Sequence, residues 1–263
     1  MSVKVIEYKL VGKKNDSSLC EDFIYNNNGI IAIIDGATSK TGTSFNGKLG
    51  GRLAGEIIID ALDRVDRAIA PIAKLSYISN AIKELKEENR IDFPIIANIV
   101  IYDSYNSSII SYGDCKLLIN GKELINRKDS DTKLALIRSD YNKKLLASGY
   151  TLDSLINNDL GRKEILSLLL EQEKKSNIDF PCINGTKINE SMVEYFSVGK
   201  GDLVVLASDG YPRVFNTLSE SEKYLSRVLT NDPLCIDMYI STKGVAKGSL
   251  SYDDRAYISF IIE

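Results

Sequence analysis

The sequence predicts an α+β fold built on antiparallel strands. Three observations carry that expectation. Strand-like and helix-like segments come in groups rather than in the strict alternation of βαβ units. Residues 93–119 read as three or four consecutive strands joined by tight turns. Two strongly apolar runs, residues 30–34 and 203–207, both lead into an Asp-Gly pair, Asp35-Gly36 and Asp209-Gly210. Each would deliver a carboxylate to the rim of a core, beside a residue whose missing side chain lets other groups approach the backbone.

The elements follow in order. Val3, Val5, Tyr8 and Leu10 alternate with polar residues as a half-buried first strand. A polar loop follows at 12–18. Residues 20–25 form a second strand led by Glu21 and Asp22, and Asn28-Gly29 turns the chain into the strand at 30–34. The two strands make a hairpin, which places Glu21 and Asp22 near Asp35. Residues 37–46 read as loop. From 47 to 65 the apolar residues Leu49, Leu53, Ile57, Ala61 and Val65 recur at helical spacing. Gly47, Gly50, Gly51 and Gly55 lie in its first half, which fits close packing on a sheet; no phosphate-loop spacing is present. A second helix is expected at 73–89. After the strands of 93–119, residues 139–178 are polar and partly helical, with Leu-rich spacing at 162–174. Strands at 194–196 and 202–207 flank Gly199-Lys200-Gly201. A helix at 219–229 and a last strand at 256–262, fed by Asp253-Asp254, close the chain.

Length and composition bound the function. The 263 residues suffice for one core, so one domain is expected over residues 1–263, with a variable excursion at about 126–190. A net charge of −3 gives no general attraction to nucleic acid or to an anionic membrane. The N-terminus lacks a signal-peptide core and no apolar run is long enough to span a bilayer. The four cysteines, Cys20, Cys115, Cys182 and Cys235, form no CxxC pair, which points to reduced buried thiols in a cytoplasmic protein. There is no histidine. That excludes Ser-His-Asp and Cys-His catalysis and every histidine-ligated zinc or iron site.

What remains is oxygen chemistry. Glu21, Asp22, Asp35, Asp114, Asp209 and Asp253 all flank apolar strands. One such acid is an ordinary turn residue. Several together would be costly to cluster without cations to neutralise them, and oxygen-only donors select magnesium, manganese or calcium.

These residues carry a resemblance. Cys20-Glu21-Asp22-Phe23, Ile33-Ile34-Asp35-Gly36, the Gly-rich helix after it, Tyr112-Gly113-Asp114, residues 201–210 ending in Asp209-Gly210, and Ser251-Tyr252-Asp253-Asp254 resemble, in order, the motifs of the metal-dependent protein phosphatases of the type 2C class. Each motif is weak alone; together they cover nearly the whole chain. The resemblance implies a four-layer α/β/β/α sandwich of two antiparallel sheets flanked by helices. It implies a binuclear magnesium or manganese centre, with Asp35 bridging both ions and Gly36 ligating through its carbonyl. Asp209 and Asp253 would hold one ion, Glu21 and Asp22 the other, and Asp114 a third, weaker one. Catalysis would rest on Asp35, Asp209 and Asp253, by attack of metal-activated water on a phosphoserine or phosphothreonine ester of a phosphoprotein. The chain departs from the pattern at four places. The phosphate-binding arginine falls on Ser17, so phosphate charge would rest on the metals and on Lys13, Lys14, Lys40 or Arg52. No histidine can act as general acid. Ala37-Thr38-Ser39-Lys40 follows the central Asp-Gly, and Asp254 and Ala256 replace the usual Asn and Thr. An inactive regulatory module of the same fold, and a phosphoesterase of small molecules, stay open as alternatives.

Overall fold

The computed structural model describes residues 2–14, 16–125 and 129–263. Residue 15 of the predicted polar loop and residues 126–128, which open the predicted excursion, lie outside the described residues. The strands are β1 (Val3–Val11), β2 (Asp22–Asn27), β3 (Ile30–Gly36), β4 (Ser44–Phe45), β5 (Lys48–Leu49), β6 (Ala97–Asp103), β7 (Ser108–Tyr112), β8 (Lys116–Ile119), β9 (Lys122–Ile125), β10 (Glu194–Ser197), β11 (Leu203–Ala207) and β12 (Arg255–Ile262). The helices are α1 (Gly50–Arg64), α2 (Pro71–Asn89), α3 (Asp129–Ala147), α4 (Leu152–Asn157), α5 (Leu160–Glu164), α6 (Leu166–Glu173) and α7 (Leu218–Asn231).

Two five-stranded antiparallel sheets form the centre, one in the order β1-β12-β11-β8-β9 and the other β10-β7-β6-β3-β2. Period-two alternation explains why residues 30–34 are apolar without a break. Ile31 and Ile33 point between the sheets, where they meet Val100, Tyr102, Val204, Leu206, Ile258 and Phe260. Ile30, Ala32 and Ile34 point the other way, onto Leu53, Ile58, Leu62, Leu75, Ile78 and Ile82 of α1 and α2. The outer face of the first sheet packs Val205, Ala207 and Tyr257 against Leu225 and Val228 of α7. Two antiparallel sheets flanked by helices are therefore the fold, as the sequence predicts. The same alternation puts Asp35, two residues beyond Ile33, at the end of the space between the sheets.

The glycines of α1 answer to packing. A Cβ on Gly55 would lie 2.1 Å from the Phe23 ring. Three Asn-Gly pairs, at 28–29, 46–47 and 120–121, all adopt positive φ. They make the tight turns of the hairpins β2–β3, β4–β5 and β8–β9, since their twist matches that of paired strands. The second corrects the reading of 37–46 as loop and of helix from residue 47: Gly47 turns a small hairpin and the helix starts at Gly50.

Other expectations are corrected by topology. The strands expected at 93–119 are not all neighbours in one sheet: β6 and β7 lie in one, β8 and β9 in the other, and Gly113-Asp114 is the crossing. The turn at 199–201 likewise carries the chain from one sheet to the other. Tyr8 and Leu10 pair with inward-facing Ile258 and Ala256, yet they are 71% and 44% exposed on edge strand β1. Among the described residues the excursion after β9 contains four helices, α3 to α6, where the sequence reads as partly helical. No helix among the described residues is long and apolar enough to cross a membrane. The four cysteines are buried and form no disulfide with one another.

Candidate metal centre

The predicted acids reach one place from both sheets. Asp22 and Asp35 are cross-strand partners at the open end of the β2–β3 hairpin. Asp35 is paired on its other side with Asn98 of β6. Asp209, just beyond β11 in the facing sheet, donates its backbone N–H to Asp35 Oδ2 at 3.2 Å. Asp253 and Asp254 precede β12, the neighbour of β11. Asp114 at the crossing accepts a short hydrogen bond from Asn98 Nδ2.

Glycine allows this convergence. A Cβ on Gly36 would lie 2.5 Å from both Glu21 O and Gly51 O, and one on Gly210 would lie 1.9 Å from Asp254 O. Only glycine lets the ends of β3 and β11 sit this close to neighbouring carbonyls.

The acids border a cavity of about 130 Å³, with Asp35, Gly36, Asp114, Asp209 and Asp253 on one side. The helices after β9 form the opposite wall, through Arg162, Leu169, Gln172 and Glu173. Glu21 and Asp22 are buried beside this floor.

The electrostatics are uneven. Burial pushes Asp35 up, and Asp209, Asp22, Asp114 and Asp253 push it further. Burial does the same to Asp22, with Asp253 the strongest like charge. Asp209 is raised to about 7, by burial and then by Asp253 and Asp114. Asp253 goes the other way. Burial would raise it, but Lys243 and Lys13 hold it below the usual range. Lys13 Nζ lies 3.2 Å from Glu21 Oε2, 3.3 Å from Asp253 Oδ1 and 3.0 Å from Asp254 Oδ2. Lys243 Nζ forms a close ion pair with Asp253 Oδ2.

These residues fit a hard divalent cation in donor type and in what they lack. Every side-chain donor is oxygen. The carboxylate oxygens Glu21 Oε1, Asp22 Oδ2 and Asp209 Oδ1 and the amide oxygen Asn98 Oδ1 are buried without a hydrogen-bond partner, which is costly unless a cation completes them. No ready-made cage exists, however: no three of the Cys, Asp or Glu side chains among the described residues converge as a metal site. Part of the set is turned onto lysine instead.

The four residues expected to meet phosphate are scattered. Lys13 is inside the carboxylate cluster. Lys40 lines the cavity but is paired with Glu173 of α6. Lys14 is exposed away from the cavity wall. Arg52 bonds Glu56, Cys20 O and Ser17 O and stacks over Phe23, so it braces α1 against the β2 approach. Sequence reasoning missed Asn98, Thr38, Arg162 and Lys243. Asn98 had a signal, being polar at the head of an otherwise apolar strand; Lys243 lies in an irregular stretch with none.

The sequence matches no protein-family profile and no curated protein. Solved structures do resemble the chain. The Mycobacterium tuberculosis serine/threonine phosphatase PstP/Ppp is 15% identical, with a TM-score of 0.52 over 99% of this chain and 100% of that one. Staphylococcus aureus serine/threonine phosphatase Stp1 is 14% identical, with a TM-score of 0.53 over 100% and 96%. The catalytic domain of PstP in complex with two manganese ions is 13% identical, with a TM-score of 0.51 over 98% and 99%. At such identities the likeness speaks for architecture, and the architecture of this chain is that of the protein phosphatase 2C-like fold.

Proposed function

We propose that this chain is a metal-dependent phosphatase hydrolysing phosphoserine and phosphothreonine esters of protein substrates. The observation that carries the reading is the meeting of Asp35 and Asp209 from facing sheets beside buried carboxylate oxygens that lack partners. Asp35, Asp209 and Asp253, with Glu21, Asp22, Asp114 and the Gly36 carbonyl, would hold the cation. Magnesium or manganese bound there would polarise a phosphoryl oxygen and lower the pKa of a water molecule. The protein's part is orientation. The acids sit on rigid strand ends, so their places are fixed by the sheets. Arg162 supplies positive charge along the cavity for an entering phosphate, while Lys40 and Lys243 are already paired with Glu173 and Asp253. Arg162 is held there by its bond to Thr242 O at 2.9 Å and by Asp159, which caps its backbone N–H.

A second reading, a non-catalytic module of the same fold, is favoured by one observation: two lysines already engage Glu21, Asp253 and Asp254. The experiment that separates the two compares an aryl phosphate with phosphoserine and phosphothreonine peptides in manganese. Turnover of the phosphopeptides supports the proposal. Turnover of the aryl phosphate alone points to a small-molecule phosphoesterase, and turnover of neither supports the module.

A further inference from the structure

The two lysines in the carboxylate cluster make a unit. Lys13 Nζ and Lys243 Nζ both donate to Thr38 Oγ1, at 2.8 and 3.4 Å. Both bind Asp253, one at each carboxylate oxygen. Lys13 also reaches Glu21 and Asp254. These are not mobile surface contacts. The Lys13 side chain is only 17% exposed. Its backbone N–H donates to Asp254 Oδ1 at 2.6 Å and its carbonyl accepts from Leu250 N at 2.7 Å. The approach to Lys243 is pinned too, by Arg138 to Ser241 O and by Arg162 to Thr242 O, each at 2.9 Å.

This divides the acids. Glu21, Asp253 and Asp254 each share Lys13 or Lys243. Asp22, Asp35 and Asp209 form no ion pair among the described residues, and Asp22 and Asp209 each keep a buried oxygen without a partner. Two ammonium groups carry the charge of one divalent ion. They are confined among carboxylates, where a second divalent ion would have to displace both and leave them buried near it. Buried like charges at such range oppose each other strongly.

We propose that Lys13 and Lys243, joined through Thr38, take the place of one of the two divalent cations, so that this centre binds a single ion, on the side of Asp22, Asp35 and Asp209. The inference rests on the metal-dependent reading above. It also gives a role to Thr38, in the segment where the sequence departs from the type 2C pattern.

The test is manganese stoichiometry, read by titration calorimetry and native mass spectrometry on the full chain after chelation and dialysis. Electron paramagnetic resonance distinguishes a lone ion from an exchange-coupled pair. One equivalent in the wild type, with the spectrum of an isolated ion, and a second equivalent in Lys13→Met/Lys243→Met would support the proposal. Two equivalents in the wild type would overturn it, whether or not the double variant folds. One equivalent in both proteins would overturn it too, while leaving the metal reading intact. No equivalent in either would remove the metal reading and this inference with it.

Discussion

Asp209 donates its backbone N–H to Asp35 Oδ2 at 3.2 Å, and through this bond the two central sheets meet at the cavity. The contact needs the ends of β3 and β11 to be level across the sandwich. It places the Asp209 carboxylate beside Asp35, for which it is the strongest like charge. The site is therefore assembled by the packing of the sheets, against the electrostatic preference of its own side chains.

That balance predicts opposite effects on activity and stability. Asp35→Asn and Asp209→Asn should each lower manganese-dependent hydrolysis by about 100-fold or more, since both remove a proposed ligand. In the metal-free protein the same changes relieve buried like charge, so the melting temperature should rise. Circular dichroism melts in chelator check this. A fall in melting temperature for both variants would contradict the electrostatic reading.

Gly36→Ala should destabilise by about 1–3 kcal/mol, because the new methyl meets two backbone carbonyl oxygens, Glu21 O just before β2 and Gly51 O in α1. Gly199→Ala is the control, since no atom lies within 4 Å of its Cβ position. Urea unfolding of both variants should show the first cost and a change within about 0.5 kcal/mol for the second.

Arg138 ties the helices after β9 to the rest of the fold. It is fully buried, and its guanidinium binds Asp159 and the carbonyls of Leu234, Cys235 and Ser241. Arg138→Ala should cost about 3–5 kcal/mol by leaving those groups unpaired. Arg138→Lys should recover little, since a point charge cannot reproduce the fork. Chemical denaturation of the two variants settles the comparison.

Glu222 gives a pH dependence away from the metal centre. Burial would raise its pKa, but hydrogen bonds from Arg255, Tyr211 and Lys9 bring it down to about 2. A carboxylate lowered on folding stabilises above its unfolded pKa, near 4.5, and that stability is lost as pH falls from there toward 2. With the side chain 24% exposed, the contribution is about 2 kcal/mol. Glu222→Gln should be less stable than the wild type at pH 7, and the gap should narrow as pH falls below about 4.5 and be mostly gone by about pH 2. A constant gap across that range would show that the network does not act through charge.

The fold was readable where the sequence states physics locally. Residues 30–34 are apolar on both faces because both faces are covered, and Asn28-Gly29 announced its hairpin. Asn46-Gly47 carried the same signal but was hidden by the apolar spacing that continues into α1. The splitting of β6–β7 from β8–β9 could not be read, because a hairpin and a crossing between sheets use the same turn residues. Gly36 and Gly210 were legible as places of close approach, and the structure supplies the groups that approach: the carbonyls of Glu21, Gly51 and Asp254. The lysines were not legible in the same way. Lys13 was expected to face phosphate, and only its hydrogen bonds show it facing carboxylates. Lys243 reaches Asp253 from a segment whose path is set by Arg138 and Arg162, more than 75 residues upstream.

In the proposed reaction a cation held by Asp35 and its neighbours does the chemistry. The most direct measurement is hydrolysis of an aryl phosphate by the purified chain, before and after exhaustive chelation, and again after manganese is returned. Activity should fall to background with chelator and recover with manganese. Activity that survives chelation, or that manganese fails to restore in a folded protein, would contradict the proposal.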